Sequence, residues 1–211
     1  MRWLPFQLNP DLPESGIPRV EYLQRKFGSP NHSYARVAAV GQSVGIPFAF
    51  DKIRVQPNTV NAHRLLHYAD QQGRQDEVSE VLFLAYFIEG ANLTDIGTLA
   101  DVGERGGLER SALAAYLASD ADRELVQTAD IEARSGGING VPYFIFNNKV
   151  GVSGAQEAET LLQAMGEHIV TIPSTANGTI DRAALGDYLN EDVACCVIGF
   201  PNFFGVVEET S

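Results

Sequence analysis

The sequence predicts an α/β protein in which a helical insert separates two segments that contain strands. The first supporting observation is helical apolar spacing that recurs from about residue 58 to 137. The second is the continuous apolar run Tyr143–Phe146, where the pattern changes from helical to extended. With 211 residues, the chain is long enough for one domain with its own core and an appendage.

Before the insert, strand and helix patterns alternate. Large and polar residues alternate over Arg2–Leu8, which predicts a strand, and three prolines and a glycine make residues 9–18 a loop. Residues 19–27 and 33–44 carry apolar side chains at helical spacing. A short extended piece is predicted at 48–55.

The insert is predicted to contain five helices with short connections. Asn58 or Thr59 caps the first helix, and Gly73 ends it. The predicted helices cover 58–72, 76–89, 95–106, 109–118 and 122–135.

After the insert, Tyr143–Phe146 is predicted to be a strand buried on both faces. Asn147 and Asn148 suit a tight two-residue hairpin turn, and residues 149–152 return as its partner strand. Ser153 with Gln156 matches a capping box that opens a helix to about Met165.

Residues 166–211 are predicted to form a βαβ-like appendage, with strands at 168–173 and 193–200 and a helix at 181–189. The two cysteines of the chain, Cys195 and Cys196, are adjacent in the second of these strands. We expect them to be buried free thiols in a reducing compartment, because an adjacent pair forms a disulfide only in strained geometry.

The net charge of −12 excludes nucleic acid and anionic membranes as expected partners, since both reward clustered Lys and Arg. The acidic excess is spread along the sequence and is interpreted as solvation. No apolar run reaches the roughly 18 residues that span a bilayer, and the first residues match no signal peptide. The expected location is therefore the cytoplasm.

A proline at the first residue of a buried strand marks Val141–Pro142 as a candidate binding site. If the bond is cis, the backbone N–H and C=O of the preceding residue can turn outward and pair with an extended peptide. The alternative is a trans proline that only starts the strand.

Polar groups at the start of the first insert helix are a second candidate. Asn58 and His63 are predicted to contribute to substrate binding, because a helix N-terminus holds anions. The alternative is a capping residue with a solvated face. His63 and His67 have metal-ligand spacing, but no further ligand completes a set, so no metal is predicted.

Four blocks, in order, resemble the DsbA-like family of thioredoxin-fold proteins over residues 1–165, and the FrnE-type branch most. The blocks are Arg2–Pro10, Pro57–Thr59 with Ala62–Leu65, Gly140–Phe146 and Val152–Gln156. The resemblance implies a thioredoxin fold with the helical insert at about 58–137. It also implies that Pro142 is the cis-proline, that Val141 lies beside the active site, and that thiol or disulfide proteins are the partners.

In that family a first strand and a Cys-x-x-Cys helix precede the segment that matches Arg2–Pro10. The 211 residues contain no Cys-x-x-Cys, so the catalytic residues are unknown and the first strand is expected to be missing. Because exchange needs a low-pKa thiolate, we expect this polypeptide to be an inactive homologue of the thiol–disulfide oxidoreductases. The alternative is a non-catalytic module for peptides or a glutathione-like thiol, since a related isomerase uses glutathione without two cysteines.

Residues 168–211 are similar to part of the glycine-cleavage P-protein, a pyridoxal-phosphate-dependent decarboxylase. Ile180–Leu185, Asp192–Ala194 and Pro201–Glu208 carry the resemblance. A third hypothesis is thus a glycine dehydrogenase fragment over 166–211. The cofactor-holding lysine of that family lies outside the matched stretch, so no cofactor is expected.

Overall fold

The computed structural model describes residues 2–30, 34–156 and 158–166. Helices predominate within these ranges. The α-helices are α1 Arg19–Phe27, α2 Ala35–Ser43, α3 Val60–Gln71, α4 Gln75–Leu84, α5 Ile96–Arg105, α6 Arg110–Ala118, α7 Arg123–Ser135 and α8 Ala158–Met165. The strands are β1 Ile17–Pro18, β2 Val55–Gln56, β3 Tyr143–Phe146 and β4 Val150–Ser153.

The chain divides into two compact units, Met1–Val141 and Pro142–Ser211. The first unit contains α1 to α7 with the β1–β2 pair, and the second contains the β3–β4 hairpin and α8. The domain boundary predicted after residue 165 stays a prediction.

Helices α3 to α7 confirm the five helices predicted for the insert. Side chains cap two of these helices, α5 and α6: the Asp95 carboxylate accepts the Thr98 N–H at 2.7 Å, and the Glu109 carboxylate accepts the Ala112 N–H at 2.7 Å. Leu84 leads without a break into a π-helical turn over Ala85–Glu89. The structure thus extends the second predicted helix to its predicted end in a different helical form.

The core of the first unit lies between these helices. Leu65, Leu99 and Leu113 are fully buried there, and burial of such side chains stabilises a fold by roughly 2–3 kcal/mol each. Helices α5 and α6 approach closely at Gly103, where an added Cβ would lie 2.1 Å from Leu113 Cδ2. Any larger residue at this position would therefore force the buried Leu113 side chain to shift.

Smaller elements lie around the start of α3. Strands β1 and β2 pair antiparallel, with Ile17 opposite Gln56. Helix α1 matches its predicted bounds, and Gly28 ends it in the left-handed conformation at φ 68°. A 3₁₀ turn at Phe50–Lys52 interrupts the extended piece predicted at 48–55, and within that piece Val55 alone belongs to a strand.

The strand predicted over Arg2–Leu8 is wrong, because these residues form no ladder with another strand in the described ranges. Side chains of the insert bind the backbone instead. Gln75 accepts the Trp3 N–H at 2.9 Å and donates to the Trp3 carbonyl at 3.0 Å. Asp130 accepts the Gln7 N–H at 2.8 Å, and Arg134 donates to the Gln7 carbonyl. We call Trp3–Gln7 the docked segment.

The β3–β4 hairpin confirms the predicted turn. Asn147 and Asn148 have φ of 52° and 53°, and the Lys149 N–H donates to the Phe146 carbonyl at 2.9 Å. Phe146 pairs with Val150, so Lys149 joins the connection and β4 begins one residue later than predicted.

Two predictions for the second unit are wrong. Strand β3 is not buried on both faces: Ile145 is 48% exposed, and within the described ranges β4 is its only partner. Ser153 and Gln156 form no capping box, because Ser153 ends β4 and α8 starts at Ala158. Gln156 Nε2 donates to the Ser153 carbonyl instead, at 2.9 Å.

The βαβ-like appendage predicted over 168–211 lies outside the described residues, as do Cys195 and Cys196. In the described part, no helix is both long and apolar enough to cross a membrane.

Candidate functional site

Val141 and Pro142 lie in a bend directly before β3, and both are exposed. The Pro142 carbonyl accepts a hydrogen bond from the Gly154 N–H at 2.9 Å, which continues the β3–β4 register by one pair. Because proline has no N–H, this pair has one hydrogen bond where another residue would allow two, a loss that is tolerated at the start of a strand. The isomer of the Val141–Pro142 bond stays a prediction.

The free edge of β3 follows from this register. Pro142 directs its carbonyl toward β4, so the N–H and C=O groups of Tyr143 and Ile145 face the opposite edge. Within the described residues, no strand pairs with that edge and no hydrogen bond reaches the N–H or C=O of Val141. We call the backbone of Val141, Tyr143 and Ile145 the open edge.

Asn58 is buried before α3 and has its own partners. Its Nδ2 donates to the Leu12 carbonyl at 2.7 Å, and its Oδ1 accepts the Val60 N–H at 3.0 Å. The side chain therefore caps α3 and ties the preceding loop to it. This arrangement corresponds to the capping alternative, and the role of Asn58 in substrate binding stays a prediction.

His63 lies half-buried on the first turns of α3. Its Nε2 is 3.2 Å from the Phe6 carbonyl, which it meets as the N–H donor. Burial lowers the pKa of His63 below its ordinary value of 6.5, while the Phe6 hydrogen bond and the charge of Asp130 oppose the shift. His63 thus holds the docked segment as a neutral imidazole, and its role in substrate binding stays a prediction.

A shallow cleft of about 180 Å³ lies beside His63, between the docked segment, α3 and α7. His67 lines it and places Nε2 3.7 Å from the Asp122 carboxylate. Among the residues that the structure describes, no three His, Cys, Asp or Glu side chains are arranged to hold a metal ion.

Sequence reasoning missed Arg64, which is fully buried in α3. Its guanidinium donates to the Tyr116, Leu117, Ser119 and Ala121 carbonyls at 2.7–3.0 Å. A further bond reaches Asn61 Oδ1 at 2.9 Å. All five guanidinium N–H groups are therefore used, and the cation satisfies carbonyls at the C-terminal end of α6. The sequence signal for this burial was the position of Arg64 four residues after Val60, on the apolar face of α3.

A comparison with models of protein families identifies the family to which this architecture belongs. The chain belongs to the DsbA-like thioredoxin domain family, whose model matches residues 1–166. The fold is the mixed α/β, mostly helical version of the DsbA-like thioredoxin fold.

A solved structure of a probable DsbA oxidoreductase from Streptomyces coelicolor is similar, with a TM-score of 0.67 at 28% identity. That match covers 81% of this chain and 77% of the other. The uncharacterized protein YwbO of Bacillus subtilis is 26% identical over 174 residues, which are 79% of this chain and 81% of YwbO.

Partial matches reach a second group of proteins. A probable glycine dehydrogenase (decarboxylating) subunit 1 from Anaeromyxobacter dehalogenans is 38% identical over 87 residues, or 38% of this chain. The chain spans only 18% of that relative's length. The similarity to glycine dehydrogenase is thus confined to a fragment.

Proposed function

We propose that the open edge binds an extended segment of a thiol or disulfide protein by strand addition, as the substrate-binding part of a DsbA-family thiol–disulfide oxidoreductase homologue. One observation carries the proposal: the Pro142 carbonyl is used inside the hairpin, whereas the backbone groups of Val141 have no partner among the described residues. Backbone pairing supplies affinity without a requirement for one sequence, which suits unfolded substrates.

Binding is proposed without thiol–disulfide exchange. Exchange requires a thiolate of lowered pKa, and such thiolates lie at helix N-termini or in Cys-x-x-Cys motifs. The 211 residues contain no such motif. We therefore expect the polypeptide to reduce insulin no faster than a buffer control, and a rate comparable with that of a complete relative would contradict this part of the proposal.

Fluorescence anisotropy with a labelled, thiol-blocked unfolded peptide tests the binding. Val141→Pro removes the Val141 N–H and should weaken binding by about tenfold, the order of one lost backbone hydrogen bond. Val141→Ala keeps the N–H and serves as the matched control, with affinity close to that of the unchanged chain. Circular dichroism would verify that both variants fold.

Equal affinities of the two variants, or no binding by the unchanged chain, would contradict the proposal. Glutathione provides the test of the small-thiol alternative. If it displaces the peptide, the same edge takes a glutathione-like thiol. If it leaves the peptide bound, the site is selective for longer chains.

The partial matches support a second candidate, that residues 166–211 are a glycine dehydrogenase fragment joined to a DsbA-like domain at 1–165. The 38% identity of the partial match supports it, although a match of 87 residues also extends into residues before 166. The candidate predicts that the chain co-purifies with the remainder of a glycine dehydrogenase subunit. Failure of the two to co-purify would remove its support.

A further inference from the structure

The charge of this acidic protein is distributed unevenly in the first unit. Residues 19–54 contain six Lys or Arg and two Asp or Glu, a net charge of +4. Since the whole chain carries −12, the remaining residues carry −16. The segment that forms α1 and α2 is thus a basic region in an acidic chain, and the spread-out acidic excess expected from the sequence does not extend to it.

Helix α2 and the residue that follows it, Val44, carry an exposed apolar stripe. Val37, Val40 and Val44 follow helical spacing and are 48%, 60% and 67% exposed. Only Gly41 of this helix is buried, where it meets the Phe48 ring. An amphipathic helix normally turns its stripe to the core, so the exposed stripe is a candidate contact surface.

Arg36 lies on the same helix as the stripe, and a second cation, Lys26, lies near the end of α1. Arg36 lies four residues before Val40 on α2, and Lys26 Nζ lies 5.6 Å from the centre of the Phe27 ring. The Phe27 ring is 6.3 Å from that of Tyr34, the residue that precedes α2. Both Arg36 and Lys26 are exposed, and in the described ranges neither has an ion-pair partner.

We propose that the basic apolar face formed by Arg36, Val37, Val40 and Val44 docks an acidic amphipathic segment of a partner protein. Complementary charge and an apolar stripe are the two properties that such a segment offers. The surface belongs to the first unit and is independent of the open edge. Its occupancy therefore adds a protein partner to the function proposed above.

Charge favours an acidic protein segment as the ligand of this face over a second copy of the chain, a membrane or nucleic acid. In a symmetric pair of two copies the face would meet itself, and the cations of both copies would repel each other. An anionic membrane or nucleic acid extends far enough to meet the acidic remainder of the chain as well. A short acidic segment contacts the basic face alone, since charges more than about 8 Å away are screened at physiological salt.

Anisotropy titrations of the full chain provide the test. The probe is a labelled peptide with leucines at helical spacing and glutamates elsewhere, and the comparison peptide has lysine in place of each glutamate. The acidic peptide should bind more tightly by about tenfold, and salt should weaken its binding. A third peptide, with serine in place of leucine, should lose most of the affinity.

Two matched pairs of variants locate the site. Arg36→Glu should weaken acidic-peptide binding by about tenfold, whereas Lys149→Glu, an equal charge change in the β3–β4 turn, should leave it within about twofold. Val40→Gln should also weaken binding, whereas Ile131→Gln on α7 should not. Val40 and Ile131 are both 60% exposed, so the two substitutions remove similar surface.

Equal binding of the acidic and basic peptides would overturn the proposal, as would equal effects of the members of each pair. Saturable binding to phosphatidylserine vesicles that Arg36→Glu abolishes would assign the face to a membrane instead. Self-association that Val40→Gln abolishes would assign it to a second copy. None of these outcomes depends on the open edge, which Val141→Pro tests separately.

Discussion

At the scale of single residues, Arg64 shows how a buried charge becomes a structural support. Its partners are four backbone carbonyls and one amide oxygen. The guanidinium also lies 5.0 Å from the centre of the Tyr116 ring. Backbone carbonyls at a helix end carry partial negative charge, so they stabilise the cation without a carboxylate.

We predict that Arg64→Met destabilises the first unit by about 3–5 kcal/mol, because the buried carbonyls of α6 lose their donors. Urea unfolding monitored by circular dichroism would measure the loss. Arg110→Met is the control, since Arg110 is exposed and pairs with Asp101 at the surface. Equal unfolding midpoints for both variants would contradict the structural role of Arg64.

His63 makes the stability of the fold depend on pH. Its pKa in the folded protein lies below 6.5, the value expected for the unfolded chain, because burial favours the neutral ring. Above pH 6.5 both states leave the ring neutral. As the pH falls below 6.5, the unfolded chain binds the proton first, so the free energy of unfolding decreases until the folded pKa is reached.

The measurement is urea unfolding at a series of pH values between 7.5 and 5, about the range over which histidine titrates. His63→Gln keeps a donor for the Phe6 carbonyl but removes the titrating ring, so its unfolding free energy should vary less with pH. The same slope in both proteins would refute the assignment to His63.

At the scale of elements, the docked segment shows where local pattern stops being informative. Its alternation of large and polar residues is that of a strand. A strand also needs a neighbour, and here Gln75, Asp130 and Arg134 take that place by bonding the backbone of Trp3 and Gln7. Long-range side-chain partners of this kind leave no periodic signal in the sequence.

We predict that hydrogen exchange distinguishes the residues of this segment. The N–H groups of Trp3 and Gln7 should exchange slowly, because Gln75 and Asp130 accept from them. Asp130→Ala should speed exchange at Gln7 while leaving Trp3 protected. Uniformly fast exchange at both positions in the unchanged chain would show that the segment is not held as described.

The insert helices and the hairpin turn were predictable for the opposite reason. Their signals are short-range: capping carboxylates at Asp95 and Glu109, and two asparagines that tolerate positive φ. The false capping box at Ser153 has the same local pattern, but strand pairing with Tyr143 takes that residue into β4. Tertiary pairing thus decides where a local signal applies.

At the scale of the whole molecule, the sequence identified the family but not the use of each side chain. Asn58 and His63 belong to the matched blocks, yet both bond to the chain itself, at Leu12 and Phe6. The exposure of the α2 stripe was also hidden, because apolar spacing alone does not say which way a helix faces. Which side chains are buried can be determined only from the structure.

We propose that the open edge takes an extended chain by backbone pairing. Nuclear magnetic resonance of the isotope-labelled full chain, titrated with the thiol-blocked peptide, tests it residue by residue. We predict that the largest amide shifts occur at Val141, Tyr143 and Ile145, whose N–H groups are assigned to that edge. Peptide binding that leaves these three amides unshifted would contradict the account.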